Sequence, residues 1–92
     1  MNKKITVTTT GTEEIIMGND QILTFAAVGD QTDFVCSGEV LLNDDGNWLV
    51  AQAAMVDSTL YSTNSGARKF RFNVTNMGTA TTIDLEISGA NL

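Results

Sequence analysis

The sequence predicts an all-β chain: one small antiparallel β-sandwich, jelly-roll or immunoglobulin-like, of about seven or eight short strands. Three observations carry this. The dominant hydrophobic period is two, so apolar and polar side chains fall on opposite faces of extended segments. The apolar runs are short and rich in β-branched and aromatic residues. A turn signal interrupts them every ten residues or so, the spacing of a sandwich or small barrel. At 92 residues there is room for a single domain over 1–92, with residues 1–10 as an N-terminal arm or an edge strand.

The elements follow in order. "KITVTTT" is β-branched and threonine-rich, with Ile5 and Val7 turned inward. "TEEIIMGND" reads as a short strand or loop, then a turn at Gly18-Asn19-Asp20. "QILTFAAV" is a strand with Leu23, Phe25 and Ala27 on one face, and "GDQTD" breaks it. "FVCSGEVLL" follows, and Gly38 inside it signals a bulge or a close backbone approach. "WLVAQAAMV" has helix-forming residues but sits among strands, so a strand is preferred, with residues 51–56 open between strand and helix. "STLYST" is a short strand and "NSGA" a turn. The clearest alternation comes last, with Phe70, Phe72 and Val74 in "RKFRFNVT" and Ile83, Leu85 and Ile87 in "TIDLEIS". These two runs, separated by "TNMGTAT", are expected to form a hairpin in which Lys69 and Arg71 face Asp84 and Glu86.

Composition narrows the function. Eleven acidic and five basic residues leave a net charge of −6, which disfavours nucleic acid as a partner and suits solubility or docking on a basic surface. There is no histidine, which removes the commonest general base and metal ligand. Cys36 is alone, so neither a disulfide framework nor a cysteine zinc site is expected. It reads as a small buried apolar residue. The opening residues lack the pattern of a signal peptide, and no segment is long and apolar enough to span a membrane, so synthesis in a cytoplasm is expected.

The acidic stretch Asn43-Asp44-Asp45-Gly46-Asn47 offers oxygen ligands, which makes Asp44 and Asp45 the residues to consider for calcium. No glutamate at EF-hand spacing and no flanking helices accompany them, and Asp-Gly supplies the backbone freedom of a hairpin turn, so a turn is preferred and no metal site is expected. Trp48 just after it is expected in the core, with an exposed anchor as the other reading. Glu13 and Glu14 are adjacent and point to opposite faces; Asp84 and Glu86 share a solvated face. Neither pair is expected to form a catalytic dyad. "NVT" at Asn73 matches a glycosylation sequon and is taken as chance.

Three features together resemble a known group: the threonine-rich first strand, "SGEVLLNDDGNWLVAQ", and "ARKFRFNVTNMGTATTIDLEISG". Over roughly residues 20–89 the pattern is similar to small β-sandwich virion proteins of tailed bacteriophages. These carry a glycine-containing strand, an acidic Gly hairpin followed by Trp, an Arg-x-Arg strand and an alternating terminal strand. "NDDG" departs from the Asp-x-Asp-Gly spacing of that hairpin. The resemblance implies a non-enzymatic capsid decoration or stabilising protein of the virion, with no cofactor. It also implies a homo-oligomer, a trimer for preference, on the major capsid protein or another virion protein. The N-terminal residues Lys4, Ile5, Thr6, Val7 and Thr8 are the expected partner contact, by strand addition to a neighbouring chain. A carbohydrate- or receptor-binding sandwich using Trp48 or Tyr61 is the alternative.

Overall fold

The computed structural model describes residues 2–16, 22–64 and 67–90. Its eight strands are β1 (Asn2–Val7), β2 (Gly11–Ile16), β3 (Ile22–Gly29), β4 (Val35–Leu41), β5 (Trp48–Gln52), β6 (Tyr61–Thr63), β7 (Lys69–Asn76) and β8 (Ile83–Ala90). They form two four-stranded antiparallel sheets, ordered β1-β8-β3-β6 and β2-β7-β4-β5. Consecutive strands change sheet at every short connection except β4–β5, and the first strand pairs with the last. This is jelly-roll order, two Greek keys folded against each other. Among the described residues no helix is long and apolar enough to cross a membrane.

The expected alternation places the core. Leu23, Phe25 and Ala27 of β3 face Phe70, Phe72 and Val74 of β7, with Ile83, Leu85 and Ile87 of β8 completing the layer, and all are buried. Phe25 lies 4.8 Å from Phe70 and 6.3 Å from Phe72, ring centre to ring centre. Each fully buried phenylalanine contributes about 1.5–3 kcal/mol, and tilted and edge-on ring pairs of this kind add about 1 kcal/mol. Gly38 leaves room for the core rings: a Cβ there would stand 2.9 Å from Phe25 Cε2 and 3.0 Å from Phe70 Cζ. The ladder between β4 and β5 also shifts register between Gly38 and Glu39. Both readings of that glycine therefore hold, a bulge and a close approach.

Three expectations are corrected. Strands β7 and β8 do not form a hairpin: β7 pairs with β2 and β4, β8 with β1 and β3. Residues 77–82 carry the chain from one sheet to the other, so Lys69 and Arg71 never face Asp84 and Glu86. Alternation fixes which face of a strand is buried, not which strand lies beside it. Second, β5 ends at Gln52, and residues 53–56 are neither strand nor helix; Met55 still donates its amide to Cys36 O at 2.8 Å. Third, Trp48 lies outside the core, as described below. The expected turns at 18–20 and at "NSGA" fall wholly or partly outside the described residues. Residues 2–7 form an edge strand in register with β8, from Asn2 opposite Ser88 to Val7 opposite Ile83.

At one end of the sandwich, two aspartates clasp the connections between sheets. Asp30 accepts from the Thr81 amide at 2.8 Å, from the Thr81 hydroxyl and from the Thr82 amide at 3.3 Å. Asp33 accepts from the Thr79 amide and hydroxyl, each at 2.9 Å to Oδ1. These bonds hold both carboxyls below the usual carboxylate range; the Thr81 hydroxyl leads for Asp30 and the Thr79 amide for Asp33. Gly78, at φ 60°, turns beneath Asp33, where a Cβ would meet the Asp33 carboxyl carbon at 2.6 Å.

Candidate functional site

The outer face of the second sheet carries the one buried charged residue among those described. Strand pairing sets Glu14, Arg71, Glu39 and Val50 side by side in one row, and Ile16, Lys69, Leu41 and Trp48 in the next. Glu39 retains 8% of its accessible surface. Arg71 Nε donates to its Oε1 at 2.5 Å, while Asn73 Nδ2 and the Ser37 hydroxyl reach Oε2 at 3.3 and 3.4 Å. A carboxylate in a central strand needs such partners, since burying it unpaired costs several kcal/mol. The guanidinium of Arg71 also lies over the Trp48 ring, 4.3 Å from its centroid, a cation–π contact of about 0.5–2 kcal/mol. Trp48 is thus half-buried on the outer face, not in the core. Its strand is at the sheet's edge, where there is no facing sheet to enclose it.

A side wall adjoins this face. The edge strands β5 and β6 lie above one another, and residues 53–60 run between them. That segment bonds to both sheets, Met55 N to Cys36 O on β4 and Ser58 N to Ala27 O on β3, at 2.8 and 2.9 Å. Leu49, Val50, Val56 and Leu60 are 48, 61, 63 and 71% exposed, with Val50 on the outer face beside Glu39 and Leu49 on the opposite face of β5. Tyr61 is engaged: its hydroxyl oxygen accepts the Val56 amide at 2.7 Å and its ring stacks on Phe25 at 5.9 Å. Around the corner, on the outer face of the first sheet, lies an open groove of about 510 Å³ whose lining includes Lys4, Thr24, Ala26, Leu60, Glu86 and Ser88.

The residues singled out in the sequence take these places. Lys4 and Thr6 are exposed on β1, and both engage Asp84, Lys4 as an ion pair at 3.6 Å and Thr6 by its hydroxyl at 2.6 Å. Ile5 and Val7 turn to the core, and Thr8 lies in the exposed connection to β2. Asp44 and Asp45 are exposed in the β4–β5 turn, closed by the Gly46 amide donating to Asn43 O at 3.0 Å, with Asp44 paired to Arg68 at 3.5 Å. No group of three His, Cys, Asp or Glu suited to a metal ion occurs among the described residues. Cys36 is fully buried, and desolvation, with a smaller contribution from the charge of Glu39, pushes its thiol up to about 12. Asn73 is half-buried within β7. The Glu39–Arg71–Trp48 group was missed in the sequence. Its one signal was a glutamate inside the otherwise apolar run "VCSGEVLL".

No protein-family model matches the chain, and no curated protein matches it. Among solved structures, the crystal structure of the SPBc2 prophage-derived protein YomS is similar, with a TM-score of 0.64 over 96% of each chain at 16% sequence identity. At that identity the likeness establishes a shared sandwich fold.

Proposed function

We propose that the chain is a non-enzymatic structural protein of a tailed-phage particle, docking on the major capsid protein or another virion protein as a decoration or stabilising subunit. The observation that carries the reading is the end-to-end fold likeness to a prophage-derived protein, together with the virion-protein pattern in the sequence. Fold likeness is an argument by analogy, and the surface adds to it. Exposed apolar side chains at Leu42, Leu49, Val50, Val56 and Leu60 favour contact with protein. The glycan-binding alternative has less support, because Arg71 covers one face of Trp48 and Tyr61 is held by Val56 and Phe25.

The test is sedimentation. Lysate from the cells that make the protein is run on a density gradient and probed with an antibody. Cosedimentation with large particles, and release on heating, is expected. A protein that stays at the top of the gradient as a small free species overturns the reading.

A further inference from the structure

Two residues on the outer face of the second sheet are almost fully enclosed, Glu39 and Leu41, at 8 and 7% exposure. Neither belongs to the core cluster, and no other strand covers them. Their cover is local. In the register Arg71 stands beside Glu39 and Trp48 beside Leu41, and the Arg71 guanidinium lies against both the Glu39 carboxylate and the Trp48 ring. These two contacts fix its plane. The ion pair itself is one-sided. Glu39 takes only Nε, and its second oxygen is filled by Asn73 and the Ser37 hydroxyl. Among the described residues nothing bonds to Nη1 or Nη2 of Arg71, and its side chain keeps 24% of its surface open, against 11% for Glu39. An arginine serving Glu39 alone would do better with two nitrogens on that carboxylate. Lys69, two residues earlier on the same face, has no ion pair among the described residues.

We propose that Arg71 is a carboxylate-binding site: its Nη1 and Nη2 take an exposed Asp or Glu side chain of a partner protein in a two-bond fork, with Lys69 beside it and Trp48 and Val50 as the apolar flank. A guanidinium already held in place loses little freedom when it binds, and arginine and tryptophan are the residues most often found at the energetic centre of protein contacts. Charge selects the class of ligand. The net charge of −6 opposes a polyanion such as nucleic acid, which senses the whole field. A single carboxylate is governed by what lies within a Debye length of about 8 Å. There Arg71 and Lys69 offset Glu39 and Glu14, and Glu39 is already satisfied. Glu14 is the internal competitor: it stands opposite Arg71 on β2, yet makes no ion pair with it. The inference rests on this face alone and does not depend on the particle proposed above.

A nuclear magnetic resonance titration of the full-length protein tests it, followed at the Arg71 Nε–H and Trp48 indole signals. The probe is the peptide acetyl-Leu-Glu-Leu-amide. A saturable shift in the millimolar range is expected, with binding roughly tenfold weaker for acetyl-Leu-Gln-Leu-amide, since a bond to a charged group is worth about 1.5–3 kcal/mol. Arg71→Lys keeps the charge and loses the fork, and should weaken binding about tenfold. Lys69→Gln should weaken it by about threefold or less, and Glu14→Gln should strengthen it. Near-ultraviolet circular dichroism identifies folded variants, and Glu14→Gln with the glutamine peptide decides if Arg71→Lys does not fold. No saturable shift at tens of millimolar, equal binding of the two peptides, or binding untouched in a folded Arg71→Lys chain overturns the proposal. So does a clear preference for the phosphoserine peptide over the glutamate one. A chain that cosediments with particles but ignores the glutamate peptide would overturn this site and leave the particle reading standing.

Discussion

Arg71 serves two neighbours at once, and its removal should be felt at both. Arg71→Ala leaves Glu39 with two neutral donors in a site that is 8% exposed, at a cost of about 3 kcal/mol for a buried charge losing its partner. Replacing both residues with leucine removes the charge along with its partner, and should cost much less. The same Arg71→Ala change uncovers one face of Trp48. Since Trp48 is the one tryptophan in the chain, acrylamide quenching of its fluorescence should rise; unchanged quenching would mean that the stacking in the structure is absent in solution. Cys36 gives a second prediction at this scale. Its thiol is fully buried and pushed up to about 12, against an ordinary value of 9.0. Unfolding therefore releases a proton between those values, and stability falls as pH rises through that window, by up to about 1.4 kcal/mol per pH unit. A denaturation series at alkaline pH reads this directly. At neutral pH the native thiol should stay unreactive toward a thiol reagent until the chain unfolds.

Among the elements, the clasp between the β3–β4 and β7–β8 connections is polar and titratable. The folded-state carboxyls of Asp30 and Asp33 lie below their ordinary value, so they add stability above the unfolded value near pH 4, and that contribution is lost as pH falls through the lower folded values. Asp30→Asn with Asp33→Asn should speed hydrogen exchange at the Thr79, Thr81 and Thr82 amides while leaving those of β8 protected. Equal protection in the variant would show that the clasp holds nothing. Strand β1 is a separate case, because the sequence left residues 1–10 open between an arm and an edge strand. A chain starting at Thr9 loses the buried Val7 and half-buried Ile5 and uncovers β8. A fully buried side chain of this size is worth about 1.5–3 kcal/mol and each kcal/mol moves Tm by about 4–8 °C in a domain of this length, so a fall of about 10 °C or more is expected in a thermal melt. An arm would leave Tm where it was.

For the whole molecule, the sequence carried the layers and left the connections open. Alternation in "RKFRFNVT" and "TIDLEIS" identified Phe70, Phe72, Val74, Ile83, Leu85 and Ile87 as core, because period two is a local property of an extended chain. It paired the two strands wrongly, because the choice of neighbour depends on every other strand in the sheets. Trp48 was misplaced for the same reason: its large apolar ring suited a core, but the edge position of β5 follows from topology alone. The Glu39–Arg71–Trp48 group draws on three strands from three parts of the chain, and no local pattern joins them. The stretch after Trp48 was visible as nearly uncharged, yet its Ala, Gln, Leu and Met were weighed between strand and helix, with strand preferred, and not for surface.

The pairing of the first strand with the last also bears on how the molecule comes into being. Asn2 sits opposite Ser88 and Ile5 opposite Leu85, so the first sheet cannot close until residues 83–90 have left the ribosome. Until then β1 has no partner, while β3 waits with its β8-facing main-chain groups bare. Topologies dominated by distant pairings fold in milliseconds to seconds, not microseconds. Lys3 and Lys4, which guard the finished edge, would guard the waiting strand as well, and the hazard during synthesis falls instead on the uncharged segment around β5, which emerges halfway through.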